Sequence, residues 1–132
     1  GGTKGGSQGD LYLTFRVRQH KVFKRQNDDI ILTAPITITQ AVLGATVEIP
    51  TIYGDVNLKI PSGIADGTTL RMREKGVQNV RSKRKGDQHV VVQIQVPKNL
   101  SSAEKKLYEQ LSKLEKKEKD SSWEKFKNLF KN

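Results

Sequence analysis

The sequence predicts a mostly β chain: a small two-sheet β-sandwich with one short internal helix and a C-terminal helical segment. Three observations predict it. Short runs alternate apolar and polar residues with the two-residue period of half-buried strands. Clusters of Gly, Pro, Asn and Asp punctuate those runs as turns. Two patterns, Thr37-Ile38-Thr39-Gln40 and Ser101-Ser102-Ala103-Glu104, are capping boxes that open the stretches with helical spacing.

The elements follow in chain order. Residues 1–8 hold four glycines and no large apolar side chain, which predicts a flexible lead-in. Leu11, Leu13, Phe15 and Val17 alternate with polar residues as a strand. Lys24 to Asp29 is a polar turn, and Asp29 to Pro35 a second strand that Pro35 should end. Thr37 caps a helix of little more than one turn, and Gly44 stops it. Val47 and Ile49, then Val56, Leu58 and Ile60, form a hairpin across Tyr53-Gly54-Asp55. Leu70 and Met72 alternate with Arg71 and Arg73, Gly76 to Lys85 is a basic loop, and Val90, Val92, Ile94 and Val96 form the last strand. Strands pair antiparallel where hairpins allow. Ser101 opens a helix to about Lys119 with Leu107, Leu111 and Leu114 on one stripe and Tyr108 beside them. Ser121 with Glu124 caps a third short helix carrying Trp123, Phe126, Leu129 and Phe130.

Composition narrows the function classes. With 132 residues there is room for one ordinary domain plus tails. There is no cysteine, so disulfides and thiolate zinc sites are excluded. No apolar run approaches the roughly 20 residues of a membrane span. The opening GGTKGGSQ, without Met and without a visible signal peptide, suggests a fragment. The net charge of +10 raises the prior for nucleic acid, acidic protein surfaces or anionic lipid. Its densest block is Arg71, Arg73, Lys75, Arg81, Lys83, Arg84 and Lys85, relieved only by Glu74. That block reads equally well as a solvated loop or as a phosphate contact. The lack of any aromatic residue between Tyr53 and Tyr108 weakens the second reading.

Nothing in the chain assembles an active site. His20 and His89 are the only imidazoles, each where a strand meets a break and without a ligand at metal-binding spacing. Asp28-Asp29 reads as a pair of solvated turn residues. General acid–base work would need a second positioned group. The Gly-rich opening lacks GxxxxGK[ST] and precedes a strand. Neither catalysis nor a cofactor is implied.

The chain also repeats itself. GDLYLTFRVRQHKVF begins at Gly9 and GDQHVVVQIQVPKNL at Gly86: a Gly-Asp turn, an alternating run, a break, a Lys, then a large apolar residue. The spacing suits one small domain per copy. Residues 1–27 would be the lead-in and last strand of a preceding similar domain, 28–98 a second β-sandwich, and 99–132 a helix and tail.

GDLYLTFRVRQHKVFKR, PITITQAVLGATVEIPTIYGDVNLKIPSG, DGTTLRMREKGVQNV and GDQHVVVQIQVP together resemble the C-terminal region of DnaJ (Hsp40) co-chaperones, bacterial or organellar type, over about residues 9–110. The resemblance implies two successive β-sandwich domains that hold extended apolar segments of unfolded or misfolded client proteins. It implies roles in protein folding and the stress response, delivery of clients to Hsp70, a homodimer built by the C-terminal helix, and a bacterial cytoplasmic or mitochondrial matrix location. It implies neither a membrane nor a nucleic-acid partner. Neither histidine stands in the His-Pro-Asp of a J-domain, and CxxCxGxG is lacking.

Phe23 reads either as a core or interdomain plug or, since the resemblance matches it to an aromatic in the family's first-domain groove, as a client-binding residue. By the repeat, Leu32, Ala34, Val47 and Ile49 would line a smaller groove in the second domain, unless alternation sends all four into the core. Leu107, Tyr108, Leu111 and Leu114 would form a packing stripe against this domain or a second copy, and the resemblance implies the second copy. The expected function is therefore a non-enzymatic client-binding and dimerisation region. A basic nucleic-acid-binding β-domain is the alternative.

Overall fold

A computed structural model of the chain describes residues 23–116 and 122–131. The strand expected over 11–17, Ser121 as a cap and the helical stretch beyond Lys116 lie outside those residues. The chain divides into two units, residues 1–96 and 97–132.

The described residues of the first unit form two sheets and a short helix. Strands β1 (Phe23–Gln26), β2 (Asp29–Thr37), β3 (Ala45–Thr51), β4 (Gly54–Ile60), β5 (Thr69–Met72) and β6 (Gln88–Gln95) form a four-stranded sheet, in order β1-β2-β6-β5, and a two-stranded β3–β4 sheet. Helix α1 (Ile38–Leu43) joins β2 to β3. The polar stretch after Phe23 is strand rather than turn. Its residues pair with β2 in the register Phe23↔Leu32 to Gln26↔Asp29, and only Asn27 and Asp28 turn.

Strand β2 runs two residues past Pro35, and the hydrogen-bond geometry explains why. β2 pairs parallel with β6, Ile30 opposite Gln88, and the Ile30 N–H donates to the Asp87 carbonyl at 2.9 Å. Alternate residues Ile30, Leu32, Ala34 and Ile36 therefore turn their backbone groups toward β6. Pro35 falls in the other set, where its missing N–H costs the β2–β6 ladder nothing. Among the described residues, that parallel pair joins the first long strand to the last, a closure no hairpin signal announces.

Both capping boxes form. Gln40 N–H donates to Thr37 Oγ1 at 3.1 Å and Thr37 N–H to Gln40 Oε1 at 2.9 Å. At Gly44, φ is +82° and an added Cβ would press on the Ile60 carbonyl, so the stop after α1 needs glycine.

The core follows the alternation. Leu32, Ala34, Ile49, Met72 and Val90 form one buried cluster; Ile36, Ala41, Ile60 and Val92 form another. Gln88 is buried among them. Its Nε2 donates to the Pro50 carbonyl at 2.9 Å, tying the two sheets together, while its Oε1 has no partner among the described residues. The two sheets differ in width. With strands about 5 Å apart, a two-stranded ribbon leaves part of a four-stranded face uncovered.

The second unit holds α2 (Ser102–Lys116) and α3 (Ser122–Asn128). Ser101 N–H donates to Glu104 Oε1 at 2.8 Å, and Glu104 N–H to Ser101 Oγ at 3.1 Å. The Ser101 N–H, then the Ser101 hydroxyl, hold the Glu104 carboxyl below its ordinary value.

Candidate functional site

The mismatch in sheet width leaves a cleft of about 310 Å³ between β2 and β3. It is lined by Leu32, Thr33, Ala34, Pro35 and Ile36 from β2, Val47, Glu48, Ile49 and Pro50 from β3, and Gln40 from α1. Leu32, Ala34 and Ile49 are at most 8% exposed and belong to the core cluster, while Val47 is half-buried. The four residues expected to share a face do so. Three form a floor that is also core, and Val47 stands where the cleft meets solvent.

The β3 edge beside the cleft is open among the described residues, because β3 pairs only with β4. Ile52 and Tyr53 form a two-residue hairpin loop, with Thr51 opposite Gly54 as the hydrogen-bonded pair. Alternation then turns the backbone groups of Pro50, Glu48 and Thr46 away from β4. Pro50 suits that place, having no N–H to offer, and Gln88 takes its carbonyl. Glu48 and Thr46 remain, each with one donor and one acceptor facing outward.

Phe23 sits on the other flank of β2, opposite Leu32, partly buried against the cluster that contains Leu32 and Ala34.

Residues 1–97 match the family described as the DnaJ C terminal domain. Chaperone protein DnaJ of Acholeplasma laidlawii is 59% identical over 132 residues, covering 100% of this chain and 36% of that protein. Chaperone protein DnaJ of Bacillus cytotoxicus is 47% identical over 130 residues, 98% of this chain and 35% of that protein. That of Geobacillus thermodenitrificans is 47% identical over 113 residues, 86% of this chain and 30% of that protein. The chain belongs to the DnaJ C-terminal domain family. It spans about a third of the length of these relatives.

Beyond the residues that match the DnaJ C-terminal domain, the helical stripe is exposed. Leu107, Leu111 and Leu114 all present apolar surface on α2, with Tyr108 half-buried beside them. On α3 the rings of Trp123 and Phe126 lie 5.4 Å apart, and the ring of Phe130, just past its end, lies 5.3 Å from Phe126 edge to face. These aromatics are exposed too.

Sequence reasoning missed what Asp28 and Asp29 do. They anchor the loop between β5 and β6. Val77 N–H donates to the Asp28 carbonyl at 2.7 Å, Asn79 Nδ2 to Asp28 Oδ2 at 2.9 Å, and Asp87 N–H to Asp29 Oδ1 at 2.7 Å. His89 Nε2 lies 3.1 Å from Asp29 Oδ2. The Asp87 N–H, then His89, hold the Asp29 carboxyl below its ordinary 3.8. A Cβ on Gly76 or Gly86 would collide with the Asp28 carbonyl, so both crossings require glycine. The two glycines, Gly76 and Gly86, placed near the two ends of that loop, were the available signal.

Asp29, Asp87 and His89 bring three donor atoms within 4.8 Å of one another. Their contacts are structural: Asp87 also accepts from Glu74 N–H at 2.9 Å and lies 3.4 Å from Arg71 Nε.

Proposed function

We propose that this chain is a non-catalytic client-binding and dimerisation region of a DnaJ-type co-chaperone. It would capture extended apolar segments of unfolded or misfolded proteins, which the whole protein hands to Hsp70 through a J-domain outside this span. The observation that carries the reading is the open β3 edge at Thr46 and Glu48 beside an apolar cleft. An extended segment adding to that edge pairs its backbone with theirs and drops alternate side chains into the cleft. Val47 and the floor of Leu32, Ala34 and Ile49 receive them. On this reading Phe23, on the other flank of β2, would serve a groove completed by residues of a preceding similar domain.

The energetics suit transient capture. A net bond contributes about 0.5–1.5 kcal/mol and a well-buried anchor about 1.5–3 kcal/mol. Association costs offset most of that sum. The cleft stands near the lower end of the roughly 300–1,000 Å³ of ligand pockets, so it accommodates one or two side chains.

The helix supports the dimer. Leu107, Leu111 and Leu114, with Tyr108, meet their counterparts in a second copy, which places two clefts in one assembly. The bacterial relatives favour a bacterial cytoplasm.

Amide NMR during titration with a short apolar peptide tests the reading. Shifts at Thr46, Glu48 and Val47 are expected. Shifts confined to another face, or none at millimolar peptide, overturn it.

A further inference from the structure

The β5–β6 loop carries a second surface that the client cleft does not explain. Its tip is a rigid, side-chain-capped turn. Asn79 Oδ1 accepts the N–H groups of Arg81 and Ser82, each at 2.9 Å, and the Asn79 carbonyl accepts the Lys83 N–H at 2.9 Å. The Asn79 N–H donates to the Arg84 carbonyl at 2.7 Å, closing the turn on itself. Asp28 holds Asn79 from below. The strained position is occupied by Lys83, at φ +61°.

What this scaffold displays is positive charge around one apolar side chain. Arg81, Lys83, Arg84 and Lys85 are exposed, and none forms an ion pair with a carboxylate among the described residues. Val80, at the tip, is 92% exposed. Lys85 is further positioned by the Tyr53 ring, 4.7 Å from its Nζ. A backbone fixed before binding loses less conformational entropy when a partner arrives.

We infer that this turn is a docking surface for an acidic polypeptide segment that carries an aliphatic side chain among its carboxylates. Charge complementarity selects the carboxylates, and Val80 selects the aliphatic neighbour. Nucleic acid fits the surface less well. Tyr53, the aromatic ring beside the turn, lies under Lys85 with its hydroxyl donated to the Gly76 carbonyl at 2.6 Å. The ring is 44% exposed, but Lys85 occupies one face and leaves at most the other for base stacking, and a sugar–phosphate backbone gives Val80 nothing apolar to meet. The surface is independent of the cleft between β2 and β3.

Fluorescence anisotropy of the 132-residue chain tests it with three labelled probes. These are a ten-residue glutamate/aspartate peptide with a central leucine, the same peptide with serine there, and a single-stranded oligonucleotide of equal charge. The leucine peptide should bind best at low salt and weaken as salt rises through about 0.15 M. The triple variant Arg81→Glu, Lys83→Glu, Arg84→Glu should weaken it by about a hundredfold with the melting temperature kept. Val80→Ser should erase the preference for leucine over serine. Peptide binding indifferent to the triple variant overturns the inference. So does an oligonucleotide that binds as tightly as the leucine peptide and loses affinity in the same variant. Should the triple variant unfold, Val80→Ser alone still decides, through the leucine–serine preference.

Discussion

Substituting Val47 and Ile49 separately divides floor from core, and the structure assigns each a different outcome. Ile49 is 4% exposed and packs in the cluster with Leu32, Met72 and Val90. Ile49→Ser removes a buried side chain, leaves a cavity and places a hydroxyl among apolar neighbours. Large-to-small changes of this kind cost about 2–5 kcal/mol, and the hydroxyl adds to that. A unit of this size has only about 4–10 kcal/mol of total stability. Ile49→Ser should therefore lower the urea midpoint severely or prevent folding. Val47 is half-buried at the mouth of the cleft. Val47→Ser removes about one buried methylene-equivalent on balance, near 1 kcal/mol. Peptide affinity should fall by about five- to tenfold, since the same contact is lost to the client. Urea denaturation and anisotropy of a labelled apolar peptide give both quantities from one preparation. Kept stability with unchanged affinity in Val47→Ser would refute the cleft as the client site. A mild effect of Ile49→Ser would refute its place in the core.

Three further outcomes are expected. Leu111→Asp with Leu114→Asp should convert a sedimenting dimer to monomer while the β unit keeps its melting temperature; an unchanged sedimentation coefficient removes the helix from the dimer. Gln88→Met should change stability by less than about 1 kcal/mol, because losing the bond to Pro50 is offset by relieving the buried, unpartnered Oε1; a loss above about 2 kcal/mol by denaturation would make the tie between the sheets dominant. Asp29→Asn should flatten the acid limb of the stability curve. The folded carboxyl lies below its ordinary 3.8, so its contribution is present above that value and is lost as pH falls through the folded value. Equal acid sensitivity of the two proteins would dismiss the Asp29–Asp87 anchor.

Much of this was legible because the signals were local. Thr37 with Gln40 and Ser101 with Glu104 needed only their own spacing, and both boxes close. The alternation of Val47 and Ile49, or Val90 and Val92, places each pair on one face, and those faces meet in the core. What alternation could not supply was depth. Val47 and Ile49 share a face, yet one is half-buried and the other enclosed, because that depends on how far a two-stranded ribbon covers its neighbour. The parallel β2–β6 pair was illegible for a related reason: its partners are separated by most of the unit. Asp28 and Asp29 read as a solvated turn because their partners, from Val77 to His89, are distant in sequence.

The prolines bear on how an open edge persists without aggregating. An unpaired strand edge invites pairing with other chains, and native sheets limit it with proline and charge. β3 has both: Pro50 offers no N–H and has its carbonyl engaged by Gln88, and Glu48 places a charge on the outer face. Only the groups of Thr46 and Glu48 remain available. An incoming strand can therefore form a short ladder of a few bonds and no more. On the proposed reading that restriction is functional. A client held by two residues' backbone groups and one or two side chains dissociates readily, whereas a full-length ladder would hold it as a sheet. Replacing Pro50 with Val restores the missing donor at the edge. It should lengthen peptide residence on β3 and increase self-association of the chain, both visible in the same anisotropy and sedimentation measurements. Faster peptide release in Pro50→Val would reverse the argument.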